Sequence, residues 1–164
     1  MRQAHILAAA LAIALCPLAS TADTPRQIVG ALYAPYLRSD SPSIPSGLEL
    51  IGANATNSLT KAIKKHDECQ QREQGICDFD FDIIVCGQDW QLSQLRLSVA
   101  NGNSPNPVVR AQFDNMGRPE VVRYFFVREG EKWKIDEVIA TCRDGEKILP
   151  DFALKLTLMK NPPG

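Results

Sequence analysis

Apolar and polar residues alternate through much of the second half of the chain, and this alternation constrains the fold more than any other feature. Leu95, Leu97 and Val99 are separated by polar residues, and the same period returns from residue 108 to residue 113. A period of two is typical of strands that place one face on a core. Turn-forming residues separate the successive segments. The pattern predicts an antiparallel meander of four strands, at 94–99, 108–113, 121–127 and 133–142.

The third predicted strand differs from its neighbours. Residues 121–127 are apolar at every position except Arg123. A continuous apolar run is typical of a strand that is buried on both faces. We therefore predict a central strand covered on both sides, either by helices alone or also by a second subunit, so that a dimer is one of the expected states.

Helical spacing of apolar residues occurs on either side of the strands. The segment 24–37 begins with Thr24 and Pro25, which suit a helix cap and a first helical turn, and the segments 55–72 and 148–159 each carry one apolar face. The Ser- and Pro-rich residues 39–47 are typical of a surface connection. The predicted fold class is α+β, with N-terminal helices packed on a curved antiparallel four-stranded sheet and a C-terminal helix.

The first 22 residues have the pattern of a secretory signal peptide. A basic residue, Arg2, precedes an apolar run at 6–15 and then small residues up to Ala22, after which we expect cleavage. The apolar run is shorter than the roughly 20 residues that a membrane-spanning helix needs. Cys16 follows Leu15 rather than Gly, Ala or Ser, which argues against lipid attachment. We predict a periplasmic or secreted protein without a membrane span, consisting of a single domain at 23–164.

Four cysteines remain after cleavage, which suggests two disulfides in an oxidising compartment. Four cysteines allow three pairings, of which we favour Cys69 with Cys77 and Cys86 with Cys142. A zinc site is the rival interpretation, but no two cysteines have the tight spacing of zinc ligands. The formal net charge of −1 and the isoelectric point near 6.1 lack the basic excess of a nucleic-acid-binding protein, so nucleic acid is not an expected partner.

Short motifs in this chain resemble those of a known family. The segment 130–138, Gly-Glu-Lys-Trp-Lys-Ile-Asp-Glu-Val, resembles the last strand of the cone-shaped α+β fold named after nuclear transport factor 2. Within that superfamily, the acidic and aromatic residues 78–82 and the sequence Gln-Asp-Trp at 88–90 resemble the exported bacterial family of the domain of unknown function 3828 type. This resemblance implies a shape and a compartment. It implies no activity, because the fold hosts isomerases, dehydratases and binding modules alike.

Several polar residues are candidates for ligand binding. Asp89 and Trp90 precede the first strand, where the tryptophan either fills the core or lines the mouth of a pocket. Arginines on the polar faces of the first three strands suit a carboxylate, a phosphate or an acidic partner. Asp136 is a further candidate, and its neighbour Glu137 should point to the opposite side of the strand. The arginines and their polar neighbour are Arg96, Arg110, Gln112 and Arg123.

Metal binding and catalysis have weaker support. Asp78, Asp80 and Asp82 alternate with aromatic residues and offer oxygen ligands for calcium. A calcium loop, however, needs glycine at the position that Ile83 occupies here. A solvated acidic edge is therefore the preferred interpretation. After cleavage His66 is the one histidine left, and a catalytic pair would need Asp89 or Asp136. We expect no catalytic residue, metal or cofactor.

The expected function is therefore that of an exported, non-catalytic domain that binds a small ligand or a protein partner through the concave side of its sheet. An inhibitor or immunity-type protein that blocks an enzyme with the loop 39–47 or 69–77 is the first alternative. An isomerase- or lyase-like enzyme that uses His66 is the second alternative.

Overall fold

The computed structural model describes residues 23–38 and 44–160. The predicted signal peptide and most of the 39–47 connection lie outside the described residues. The four helices are α1 (Pro25–Tyr33), α2 (Gly47–Gly52), α3 (Asn57–Glu73) and α4 (Leu154–Lys160). The strands are β1 (Leu92–Ala100), β2 (Val108–Asn115), β3 (Arg118–Glu129), β4 (Lys132–Thr141), β5 (Arg143–Asp144), β6 (Lys147–Ile148) and β7 (Phe152–Ala153).

The fold is α+β, built on an antiparallel sheet with the strand order β1-β2-β3-β4-β7. The four predicted strands are present and form the predicted meander, but the sheet has a fifth strand, β7, which pairs with β4. The prediction of a helix from 148 to 159 was wrong in its first half. Residues 143–148 form the hairpin of β5 and β6 around Gly145, whose φ of +60° suits a tight turn, and helix α4 begins only at Leu154.

The helix starts follow from local hydrogen bonding. The Thr24 side chain accepts a hydrogen bond from the backbone N–H of Gln27, and the Gln27 side chain bonds back to the backbone of Thr24. Ser46 and Glu49 form the same reciprocal pair at the start of α2. Helix α2 was missed at the sequence level because it has only six residues, although its capping signature is present in the sequence.

The core lies between the helices and one face of the sheet. Tyr33 of α1 is fully buried against Phe113 and Tyr124 of the sheet, and the Tyr124 hydroxyl donates to the Tyr33 hydroxyl at 3.1 Å. The side of the sheet that faces the helices is therefore filled by side chains. On β3 this inward face carries Val122 and Phe126 as well, both fully buried.

The other face of β3 contradicts the prediction of a strand covered on both sides. Val121, Arg123, Phe125 and Val127 point away from the helices and remain partly exposed. The apolar run in the sequence does not distinguish a side chain that is covered by another layer from one that is shielded only by its neighbours in the sheet. In the described part of the chain, this second face has no covering layer.

Both favoured cysteine pairs form disulfides. The bond between Cys69 and Cys77 ties the last turns of α3 to the segment that follows it. The bond between Cys86 and Cys142 ties a buried turn to the end of β4. None of the helices in the described residues is long and apolar enough to span a membrane.

Candidate functional site

The strand register brings three arginines together on the uncovered face of the sheet. Arg110 of β2 lies directly opposite Arg123 of β3. Arg96 of β1 lies opposite Gln112, which is the next residue of β2 on the same face. Like charges directly opposite each other on neighbouring strands repel, so this arrangement costs stability unless an anion offsets it. We call these four residues the arginine face.

The two central arginines have different surroundings. The Arg123 guanidinium is held by the carboxylate of Asp151 and by Thr141 at 3.5 Å, while its Nε is buried without a hydrogen-bond partner in the described chain. The hydrogen bonds from Thr141 and Arg123 lower the pKa of the Asp151 carboxyl. Arg110 is exposed, and no carboxylate among the described residues forms an ion pair with it. Its charge is therefore directed into solvent.

Apolar side chains surround the arginine face on the same side of the sheet. Val108 and Phe125 face each other across β2 and β3, one row away from the arginine pair, and both are half-buried. Val121 flanks the pair on the other side and Val127 extends the row. A charged centre with an apolar border has the composition of a surface that binds a macromolecule.

Asp89 and Trp90 lie elsewhere. The Trp90 ring packs edge-on against Tyr36, just after α1, with ring centres 5.4 Å apart, and 41% of the residue is exposed. Interpreting this tryptophan as core filling was therefore wrong. Asp89 is exposed, and its backbone carbonyl accepts a hydrogen bond from the Asn115 side chain at 3.2 Å. The aromatic contact with Tyr36 places the pair on the helix side of the sheet, away from the arginine face.

Asp136 has an ionic partner of its own. It accepts hydrogen bonds from the Thr56 hydroxyl at 3.1 Å and from the Lys155 ammonium at 2.7 Å. Glu137 accepts from the backbone N–H groups of Lys155 and Leu156 at the start of α4. These two carboxylates fasten α4 to the sheet, and the structure does not bring Asp136 together with Arg110 or Trp90.

The histidine has a partner that sequence reasoning did not identify. His66 Nδ1 lies 2.9 Å from an Asp78 carboxylate oxygen, and only 2% and 8% of the two side chains are exposed. The statement that a catalytic pair would need Asp89 or Asp136 was therefore wrong, because Asp78 is the carboxylate that His66 contacts. The Cys69–Cys77 disulfide explains the contact, because it folds residue 78 back onto α3. The ring of Phe79 stacks on His66 with a centre separation of 5.0 Å.

The three alternating aspartates do not converge on one point. Asp78 bonds His66, Asp80 accepts from Gln88, and Asp82 accepts from the Tyr36 hydroxyl at 2.5 Å and from Gly47 N at 3.1 Å. The segment is irregular, with a φ of +64° at residue 78, so the carboxylates leave the backbone in different directions. Burial raises the pKa of Asp82, and its hydrogen-bond donors offset part of that rise.

An open cleft of about 380 Å³ lies beside the buried histidine. Its walls come from the start of α2, from α3 and from the segment that follows the first disulfide. Besides His66, the walls include the acidic residues Asp67, Asp80 and Asp82. Burial raises the pKa of Asp67. The cleft is acidic, so it differs in charge from the arginine face.

A buried carboxyl group on β3 also escaped the sequence analysis. Glu120 is 1% exposed and lies on the core side of the sheet, and neither carboxyl oxygen accepts a hydrogen bond of good geometry in the described chain, although the Arg143 backbone lies nearby. Burial raises its pKa from 4.5 to about 7, and the backbone of Arg143 and the charges of Arg118 and Arg143 offset only part of this rise. Carboxyl oxygen and sulfur atoms lie within 4.8 Å of one another in the group formed by Glu120, Cys86 and Cys142.

Comparison with family models, with curated proteins and with solved structures finds no match to this chain. The resemblance to the nuclear-transport-factor-2-like superfamily therefore stays a prediction.

Proposed function

We propose that this protein is an exported, non-catalytic binding domain that recognises an acidic protein partner through the arginine face of its sheet. The observation that carries the proposal is the placement of Arg110 directly opposite Arg123 on an uncovered sheet face. The exposed Arg110 guanidinium offers N–H donors that suit bidentate binding of a carboxylate, whereas the Arg123 guanidinium is already held by Asp151. A carboxylate bound at Arg110 would also offset the repulsion that remains between Arg110 and Arg123.

Two further observations favour a protein over a small anion or a nucleic acid. Half-buried Val108, Val121 and Phe125 border the arginines, and burying such side chains against a partner contributes a free energy that a small anion cannot supply. The chain as a whole has a formal net charge of −1. Its positive charge is thus local, whereas a nucleic-acid-binding domain carries an extended basic surface.

The proposal includes the compartment and the fold family. Two disulfides suit an oxidising compartment, and the leader pattern of residues 1–22 suits export to the periplasm or beyond. Helices on one face of an antiparallel sheet suit a nuclear-transport-factor-2-like domain. The binding surface of the proposal is the uncovered face of the sheet, because core side chains fill the face that was expected to hold the ligand.

Nuclear magnetic resonance with a defined acidic probe tests this function. An octaglutamate peptide, added to the ¹⁵N-labelled mature protein at low salt, should shift the amide signals of β1, β2 and β3 selectively. Arg110→Gln should reduce the affinity, whereas Arg26→Gln on exposed α1, with the same change of charge, should not. Equal losses in both variants, or shifts spread over the whole surface, would reject the arginine face. A single-stranded DNA oligonucleotide that binds there more tightly than the peptide would reject the protein partner.

One observation favours the inhibitor form of this function, in which the partner is an enzyme of the same compartment. Ile76 is 69% exposed within the loop that the Cys69–Cys77 disulfide closes. A rigid loop with an exposed apolar tip suits insertion into a cleft, because little conformational entropy is lost on binding. Affinity capture from periplasmic extract should then recover one hydrolase, and Ile76→Ser should abolish the recovery. Recovery that Ile76→Ser leaves unchanged would exclude this loop.

The pair of His66 and Asp78 is the observation that favours an enzyme. A carboxylate on Nδ1 fixes the ring, so Nε2 becomes the nitrogen that can exchange a proton with a substrate in the adjacent cleft. Diethyl pyrocarbonate reacts with an accessible unprotonated imidazole nitrogen. Mass spectrometric mapping should find His66 carbethoxylated in the folded protein if this candidate is correct. Modification of His66 only after denaturation would reject the enzyme hypothesis.

A further inference from the structure

We propose that reduction of the Cys86–Cys142 disulfide creates a metal site in which the two thiolates and the Glu120 carboxylate bind a zinc ion. The three residues come from a buried turn, from β3 and from the residue after β4, and all three are buried. This site is independent of the arginine face and of the function proposed for it.

The distances suit a metal after a small adjustment. The candidate ligand atoms of the three residues all lie within 4.8 Å of one another. Tetrahedral zinc, with bonds of about 2.3 Å to sulfur and about 2.0–2.2 Å to oxygen, places its ligand atoms roughly 3.3–3.8 Å apart. Once the bond between Cys86 and Cys142 is reduced, the two sulfurs are free to separate by rotation of the cysteine side chains.

Glu120 itself points to a missing partner. A buried polar group without a hydrogen bond is uncommon in native proteins, and an ion or a redox role is among its known explanations. Neither carboxyl oxygen of Glu120 accepts a hydrogen bond of good geometry, although the residue is 1% exposed, and the nearby Arg143 backbone offsets only part of the effect of burial on its pKa. The charges of Arg118 and Arg143 offset only part of the cost of burying this carboxylate, so it still needs a counter-charge. A zinc ion bound to this carboxylate and to two thiolates would supply that counter-charge.

The other disulfide serves as an internal comparison. Among the residues that the structure describes, Cys69 and Cys77 belong to no comparable group of three ligands, although His66 and several aspartates lie nearby. The arrangement around Glu120 is therefore specific to one cysteine pair.

The chemistry balances with a dithiol as the reductant. The dithiol transfers two electrons and two protons to the Cys86–Cys142 bond, which yields two protein thiols, and the dithiol itself becomes a cyclic disulfide. Zinc then displaces the two thiol protons, together with the carboxyl proton wherever Glu120 is protonated. Because metal and disulfide need the same two sulfurs, zinc binding and oxidation exclude each other.

Metal binding by the reduced mature protein tests the proposal. The protein is reduced with dithiothreitol, desalted without oxygen, and titrated with Zn²⁺ and separately with Co²⁺, whose absorption reports thiolate ligands and tetrahedral geometry. We expect one ion per chain, tetrahedral bands with cobalt, and native-like circular dichroism. The oxidised protein should bind at least tenfold more weakly. One ion bound equally well by the oxidised protein would overturn the proposal.

Paired variants distinguish the proposed zinc site from adventitious zinc binding by thiols. Glu120→Gln should weaken zinc binding to the reduced protein by roughly tenfold or more, since even residues that only support metal ligands contribute that much. The matched control Glu131→Gln, at an exposed turn, should bind as the parent does. Cys69→Ser/Cys77→Ser should retain the site. Equal affinity of Glu120→Gln and the parent, or loss of the ion in the Cys69→Ser/Cys77→Ser variant while it remains folded, would refute the assignment.

Discussion

Removing the two disulfides separately should produce unequal losses of stability. The Cys86–Cys142 bond joins residues 56 positions apart, whereas the Cys69–Cys77 bond joins residues only 8 positions apart. A cross-link stabilises mainly by restricting the unfolded chain, and the restriction grows with the logarithm of the loop length. The loop-entropy relation gives about 4 kcal/mol for the longer loop and about 2.5 kcal/mol for the shorter one at 25 °C.

Local packing should widen this difference. Cys86 and Cys142 are each 8% exposed, so replacing both by alanine also leaves unfilled volume in the core. Cys77 is 7% exposed and also loses packing, but its partner Cys69 is only half-buried, so the second double variant removes one buried side chain where the first removes two. We therefore expect Cys86→Ala/Cys142→Ala to lose at least about 4 kcal/mol and Cys69→Ala/Cys77→Ala to lose about 2.5 kcal/mol.

Urea denaturation followed by far-ultraviolet circular dichroism measures both values. The slope of the unfolding free energy against urea should also rise in each variant, since a chain without the cross-link exposes more surface when it unfolds. Peptide mapping of the unreduced parent confirms the pairing beforehand. Equal losses in the two variants, or a larger loss for Cys69→Ala/Cys77→Ala, would show that loop entropy does not govern the contribution of these bonds.

Three smaller predictions concern buried polar contacts. In the oxidised protein with a chelator present, the free energy of unfolding should fall by up to about 3 kcal/mol between pH 4.5 and pH 7. The reason is that folded Glu120 keeps its proton up to about pH 7, whereas the unfolded chain releases it near pH 4.5. Urea titrations at each pH measure this dependence, and Glu120→Gln should abolish it. Tyr124→Phe should lower the free energy of unfolding by about 1–2 kcal/mol, because it leaves the buried Tyr33 hydroxyl without its partner. Adding Tyr33→Phe to this variant should cost less than the first change, and a double-mutant cycle measured by thermal denaturation that shows additive losses would contradict the hydrogen bond. A β-carbon at Gly47 would lie 2.2 Å from Asp82 Oδ1. Gly47→Ala should therefore lower the free energy of unfolding by roughly 1–3 kcal/mol in the parent and by much less in an Asp82→Ala background. Equal losses in the two backgrounds would be inconsistent with this clash.

Local signals identified most of the regular structure correctly. The alternation around Leu97 and Val109 predicted β1 and β2, because side chains of a strand point alternately to its two faces whatever surrounds them. The cap at Thr24 predicted the start of α1, because the bonds of a helix cap lie within four residues. The favoured cysteine pairing was also correct, and it follows from the even number of cysteines and from where they lie relative to the predicted elements.

Signals that depend on distant residues were missed or misread. Residues 148–153 carry helical spacing, yet β7 forms there, because the free edge of β4 pairs with Phe152 and Ala153. Trp90 was expected in the core as the simplest interpretation, but it packs on Tyr36, just after α1, and 41% of the residue stays exposed. In both cases a neighbour that is far away in the sequence decides the outcome.

The sequence by itself determined the class of fold, the order of the main strands and the α1 and α3 helices, because each of these depends on periodicity or capping within a short segment. It only favoured one of three cysteine pairings, and the structure decided between them. Only the tertiary structure decided which charges meet. The opposition of Arg110 and Arg123 is set by the register of β2 against β3, and the contact of His66 with Asp78 is set by a disulfide that reverses the chain. The burial of Glu120 beside the Cys86–Cys142 bond needs three segments to pack at once, and no local pattern encodes such a three-body contact.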